Sequence, residues 1–71
     1  MSDDQQWATN RRKAIGNRVR EARQAAGLTQ EPLALRIGLD RRTIQRIESA
    51  CTDARLSWLL LIARALDVPL A

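Results

Sequence analysis

Apolar residues in the first third of the chain recur at a helical interval. Ile15, Val19, Ala22 and Ala26 share one face, with Arg12, Lys13, Arg18, Arg20 and Arg23 spread around it. This spacing predicts an amphipathic helix from about Asn10 to Ala26. Residues 1–9, MSDDQQWAT, are polar apart from Trp7 and read as an N-terminal extension, either a tail or a frayed helical lead-in. Gly27 is expected to stop the first helix in a left-handed conformation, and Thr29 to cap a second helix running to Ile37. Pro32 falls in its first turn, where a missing N–H costs little. Gly38 closes the second helix, and Asp40 caps a third from Arg41 to about Ser49, so the connection is the short turn Gly38-Leu39-Asp40. After the loop ACTDAR, Leu56 to Leu66 read as a fourth helix ended by Asp67-Val68-Pro69. No segment alternates as a strand would. The pattern predicts an all-α fold, a compact four- to five-helix bundle, with residues 10–71 as one domain behind the 1–9 extension.

Composition narrows this picture. A chain of 71 residues without Phe, Tyr or His builds its core from Leu, Ile, Val and Ala. At this length a single core is only marginally sufficient, and self-association often adds the missing burial. The formal charge is +4. With Asp3 and Asp4 set aside in the extension, 12 basic side chains face the remaining acids, a balance compatible with binding a polyanion. All but Lys13 are Arg, whose planar fork suits phosphates and base edges, although a general compositional preference for Arg gives the same count. The lone Cys51 cannot form an intramolecular disulfide. With no signal-peptide-like or membrane-spanning run, the expected location is cytoplasmic. There is no His, no cysteine cluster, no glycine-rich phosphate loop and no paired carboxylates on one face. Neither catalysis, nor a cofactor, nor a structural metal site is therefore expected.

The third helix carries the chemistry. At about 100° per residue, Arg41, Arg42, Gln45 and Arg46 span an arc of roughly 140°, while Ile44 and Ile47 lie together on the other side. A merely solvated helix usually mixes charge signs so that Glu pairs with Arg. The outward arc here has no acid. Two short helices joined by a three-residue turn containing Gly, the second with a basic hydrogen-bonding face, fit the device that seats a recognition helix in the DNA major groove. Arg forks onto guanine O6 and N7, and Gln onto adenine N6 and N7.

The stretch GLTQEPLALRIGLDRRTIQRIES resembles the core signature of the phage-repressor, or Cro-like, helix-turn-helix family, also described as xenobiotic-response-element-type regulators. The shared elements are Gly-Leu-Thr-Gln, a Leu-Ala pair, Gly, then Thr-Ile and Ile-Glu, and the likeness extends through LLLIARALDVPL. The resemblance implies a lambda-repressor-like domain that binds double-stranded DNA. It also implies that Gln30 touches a phosphate, with the N-terminus of its helix adding a favourable dipole. Arg41, Arg42 and Gln45 are then expected to read bases, and Arg46 a base or the backbone. Thr43 is left to bond a phosphate or to cap a neighbour. Arg23 and Glu48 match positions that form a partly buried ion pair joining the first helix to the end of the recognition helix. Leu33, Ala34, Ile37, Leu39, Ile44 and Ile47 are assigned to the core.

Three positions depart from the family pattern. Pro32 replaces a common acidic residue, which removes the reciprocal capping box with Thr29. Asp40 stands at a frequent Ser or Thr cap. The loop after the recognition helix lacks the usual Gly and Pro, and Arg55 nearby is either a phosphate contact or an ordinary exposed arginine.

In the fourth helix, Leu56, Leu59, Leu60, Ala63 and Leu66 form the expected inner stripe. A second stripe of Trp58, Leu61, Ala65 and Ile62, extended by Val68-Pro69-Leu70, is expected to remain outside as a homodimer interface, unless the extension with Trp7 folds over it. The leading functional expectation is a sequence-specific, homodimeric, DNA-binding transcriptional regulator or repressor without enzymatic activity. A competing class is an antitoxin-like protein-interaction subunit with a second protein partner and secondary DNA binding. A third is nonspecific, salt-sensitive DNA binding.

Overall fold

The computed structural model describes residues 3–69, so Met1, Ser2, Leu70 and Ala71 lie outside the described residues. Four helices follow in order: α1 (Asp3–Ala25), α2 (Gln30–Ile37), α3 (Arg41–Glu48) and α4 (Leu56–Leu66). The helix expected to start near Asn10 thus begins at Asp3, and residues 3–9 of the extension are its first two turns, the helical lead-in of the two readings. Nothing between Asp3 and Asn10 breaks a helix, Asp3 and Asp4 oppose the positive end of its dipole, and adding turns to an existing helix needs no new nucleus.

Each helix closes the same way. The amide after the left-handed residue reaches back five positions, as in Leu28 N to Arg23 O (3.1 Å), Leu39 N to Ala34 O (3.0 Å), Cys51 N to Arg46 O (2.9 Å) and Val68 N to Ala63 O (3.0 Å). These are Schellman closures. Gly27 and Gly38 hold the left-handed position without strain, whereas Ala50 (φ 60°) and Asp67 (φ 55°) adopt it against their Cβ atoms. The loop that lacks the customary glycine therefore still makes the turn, with Ala50 carrying it.

Leu33 and Ile44 are fully buried, and Val19, Ala34, Ile47, Ile62 and Leu66 complete the core. Burying each large aliphatic side chain contributes about 1.5–3 kcal/mol relative to leaving it in water. Ile37 at the end of α2 and Leu39 in the turn pack against this core, as expected. Ile15, which shares the apolar face of α1 with Val19, is exposed at 43% while Val19 is buried.

Helix α4 is rolled about a quarter turn from the orientation its leucines predict. Ile62 and Leu66 point inward, Leu59 and Ala63 are half-buried, and Leu56 and Leu60 face outward at 65% and 50% exposure. The predicted stripes were both apolar, so periodicity did not determine which one faces in. Packing chose: α4 docks more extensively on α2 than on α1. The seam between α1 and α4 is left as an open apolar groove of about 410 Å³.

Candidate nucleic-acid interface

The buried face of α3 positions its exposed one. Ile44 and Ile47 are anchored in the core, and Arg41, Arg42, Gln45 and Arg46 are all exposed on the opposite side. The start of the helix is held by Asp40, whose Oδ1 accepts from the Thr43 amide at 2.8 Å and from the Thr43 hydroxyl at 2.7 Å. These two bonds, helped by the nearby Arg42 and Arg46 guanidinium groups, hold the Asp40 carboxyl below the usual carboxylate range. Of the two roles open to Thr43, the structure displays the cap. Asp40 is thereby held as a carboxylate, its negative charge engaged by the Thr43 amide and hydroxyl.

The far end of α3 is clamped from α1. Arg23 Nε donates to Glu48 Oε2 at 2.7 Å and Nη2 to Oε1 at 3.0 Å, a fork-to-fork pair between two buried residues. Arg23 Nη1 donates to the Leu28 carbonyl at 2.9 Å. The hydrogen bonds to Glu48 are the main cause of the raised Arg23 pKa. The expected ion pair is present, and it explains why an acid belongs on an otherwise basic helix.

Gln30 joins this network. Its Nε2 donates to Glu48 Oε1 at 3.3 Å, and the side chain is half-buried. The residue expected to meet a phosphate therefore has its amide nitrogen turned toward the clamp. At the same helix start, Thr29 has the extended backbone of an N-cap but makes no side-chain cap bond. Pro32 stands at the third helical position and lacks the N–H such a cap would engage there.

Gly16 and Arg20 belong to the clamp and were missed by sequence reasoning. Gly16 is buried against the end of α3, and a Cβ there would lie 2.6 Å from the Glu48 carbonyl oxygen and 2.7 Å from that of Ile47. A glycine inside an amphipathic helix is the signal that marks such backbone proximity. Arg20 Nη2 reaches the Glu48 carbonyl at 3.5 Å and Asn17 Oδ1 at 3.1 Å. No sequence signal separates Arg20 from its basic neighbours.

Other candidates are placed elsewhere. Arg55 stacks on Trp58, 5.3 Å from its ring centroid. Arg12 pairs with Asp53 at 2.8 Å, tying α1 to the loop after α3. Cys51 is exposed in that loop.

Of the expected dimer stripe, Ile62 is a correction: it is 3% exposed and part of the core, because the roll of α4 carries it inward. Trp58 and Ala65 are half-buried against the core, Leu61 is exposed, and Leu70 lies outside the described residues. Among the described residues there is no cluster suited to a metal ion, and no helix is long and apolar enough to cross a membrane.

Comparison with known proteins agrees with this geometry. The helix-turn-helix family matches residues 19–71. An uncharacterized transcriptional regulator in the ATPase CF(0) region of Rhodospirillum rubrum is 45% identical over 56 residues, covering 79% of this chain and 52% of that protein. The chain thus spans about half the length of this curated relative. The crystal structure of the restriction-modification controller protein C.AhdI from Aeromonas hydrophila superposes with a TM-score of 0.81 at 38% identity, covering 86% of this chain and 88% of that one. With the turn, the basic α3 face and the Arg23–Glu48 clamp in place, the chain belongs to the Cro/C1-type helix-turn-helix family of DNA-binding transcriptional regulators.

Proposed function

We propose that this protein is a sequence-specific regulator that inserts α3 into the DNA major groove, acts as a homodimer on paired half-sites, and performs no catalysis. The observation that carries the reading is the division of α3. Its isoleucines are locked beneath, while Arg41, Arg42, Gln45 and Arg46 stand exposed with no acid among them. Arg41, Arg42 and Gln45 read base edges, and Arg46 reaches a base or the phosphate backbone. Gln30 contacts a phosphate through its backbone amide at the start of α2, its side chain being engaged with Glu48. The regulatory role of the Rhodospirillum rubrum relative and the controller role of C.AhdI support the same reading.

Selection of bound fragments from random DNA at two salt concentrations tests it. Recovery of an inverted repeat is the expected result, and equal binding to all sequences refutes specificity. On the selected site, Arg42→Ala is expected to lower affinity by about 1–3 kcal/mol, measured by operator titration, and to leave the melting temperature nearly unchanged.

A further inference from the structure

One side of α1 carries only amides and cations. Gln6, Asn10, Lys13, Asn17, Arg20 and Gln24 are all exposed and fall within an arc of about 80°, and no other residue of the helix lies in that arc. The stripe runs for about 27 Å along the helix. Asp3, Asp4 and Glu21, the acids of α1, stand outside it. A merely solvated face mixes charge signs, and this one, like the outer face of α3, does not. Two hydrogen bonds run along the stripe: Gln6 Nε2 donates to Asn10 Oδ1 at 3.2 Å, and Arg20 Nη2 donates to Asn17 Oδ1 at 3.1 Å. Both engage an amide oxygen. The NH2 groups of Asn10 and Asn17, the Lys13 ammonium and the rest of the Arg20 fork remain as donors, a set suited to an anion.

The placement of the stripe names the anion. The opposite side of α1 supplies Ile15, Val19 and Ala22 to the groove against α4, so the stripe is turned away from α4. The basic arc of α3 is likewise turned away from the core that Ile62 and Leu66 of α4 enter. Arg20 joins the two surfaces, since its Nη2 also reaches the Glu48 carbonyl at the end of α3 (3.5 Å), the same carbonyl that Gly16 lies against. We infer that α1 is a second DNA-contacting element, which lays this stripe along the sugar-phosphate backbone beside the groove that α3 enters. Asn, Gln, Lys and Arg are side chains that bond phosphate and sugar oxygens without reading sequence. With no apolar residue in the arc, nothing is offered for insertion into a lipid surface or for stacking on unpaired bases. Lys13 and Arg20 neutralise phosphates and release their counterions, and the four amides fix the register. The inference rests on the DNA reading proposed above and extends its contacted surface from α3 to the length of α1.

Affinity for the selected operator, titrated between about 50 and 200 mM salt, tests it in wild type, Lys13→Gln, Arg20→Gln and the double variant. Each neutralised phosphate contributes about 0.9 to the slope of log affinity against log salt. Each single variant is expected to flatten that slope by about one and the double variant by about two, so that the double variant loses about ten-fold less affinity across the range. Discrimination against a single-base-pair change in the operator is expected to stay as in wild type, because backbone contacts weaken all sequences alike. Lys13 takes no part in the clamp on α3, so a flattened slope in Lys13→Gln with an unchanged melting temperature does not come from a displaced reading helix. Ethylation interference supplies a second readout: ethylating the phosphates under the stripe is expected to block wild type and to spare the double variant. An unchanged slope in Lys13→Gln, or the same interference pattern in wild type and double variant, overturns the inference, and retained sequence preference then still leaves α3 as the reader. Flattened slopes on a duplex bound without any sequence preference give the converse, keeping the stripe and removing the specific reading by α3.

Discussion

The two ends of α1 are built on opposite principles. From Gly16 to Arg23 the helix is pressed against the end of α3, with a backbone contact too close for a Cβ and a buried forked ion pair beside it. From Asp3 to Ile15 it carries no buried residue and displays Trp7 and Ile15 to solvent. The first region has one arrangement available, since a buried charge pair and a carbonyl-to-glycine contact tolerate little displacement. The second has apolar area but no internal partner. The former fixes the orientation of α3, and the latter leaves apolar side chains uncovered.

Breaking the clamp is expected to have the largest effect. Arg23→Ala leaves Glu48 buried without its partner and should cost about 3–5 kcal/mol in chemical denaturation. A loss below about 1 kcal/mol is the range of exposed pairs, and would show that the clamp contributes no more than those do.

Gly16→Ala comes next. Intrinsic helix propensity favours Ala over Gly by about 1 kcal/mol, yet the Cβ would meet two backbone carbonyls that cannot move away independently. Net destabilisation of about 1–3 kcal/mol is expected, and a stabilised variant would show that α1 and α3 separate easily.

The Asp40 cap adds a smaller, pH-dependent contribution. Because folding lowers the pKa of this carboxyl, its contribution is complete above the ordinary carboxylate range and disappears as pH falls through the lowered folded value. The melting temperature of Asp40→Ala should therefore lie below wild type near neutral pH, and the gap should close in acid. A gap independent of pH would assign the effect to something other than the ionised cap.

The smallest effect is expected on the outer face. Leu60→Ser, at a half-exposed position on α4, should change stability by less than about 0.5 kcal/mol at low protein concentration. A larger loss would mean that this face is covered and would blur the contrast with the clamp.

Much of the recognition region was legible in advance because its signals are local. Gly38 and Asp40 delimit the turn, and the 100° step separates Ile44 and Ile47 from the arginines without reference to any other helix. Arg23 and Glu48 were paired through family resemblance, since their separation along the chain holds no geometric information. Gln30 was assigned outward from the same resemblance, and the inward turn of its amide depends on where Glu48 comes to rest. The sequence left residues before Asn10 open between a tail and a helical lead-in because they lack apolar periodicity, and the structure shows the lead-in from Asp3, since helix propagation does not require that periodicity.

Helix boundaries, caps and the two-faced character of α3 follow from neighbours three or four residues apart, where backbone hydrogen bonds and side-chain spacing act. The phase of α4 does not. Its sequence is apolar on both candidate faces, so the competition between α2 and α1 for its surface decided that Ile62 enters the core and Leu56 and Leu60 leave it. Gly16 likewise acquires its role only when α3 arrives beside it. Burial is a property of the assembled chain, and where periodicity offers two equivalent faces, only packing distinguishes them.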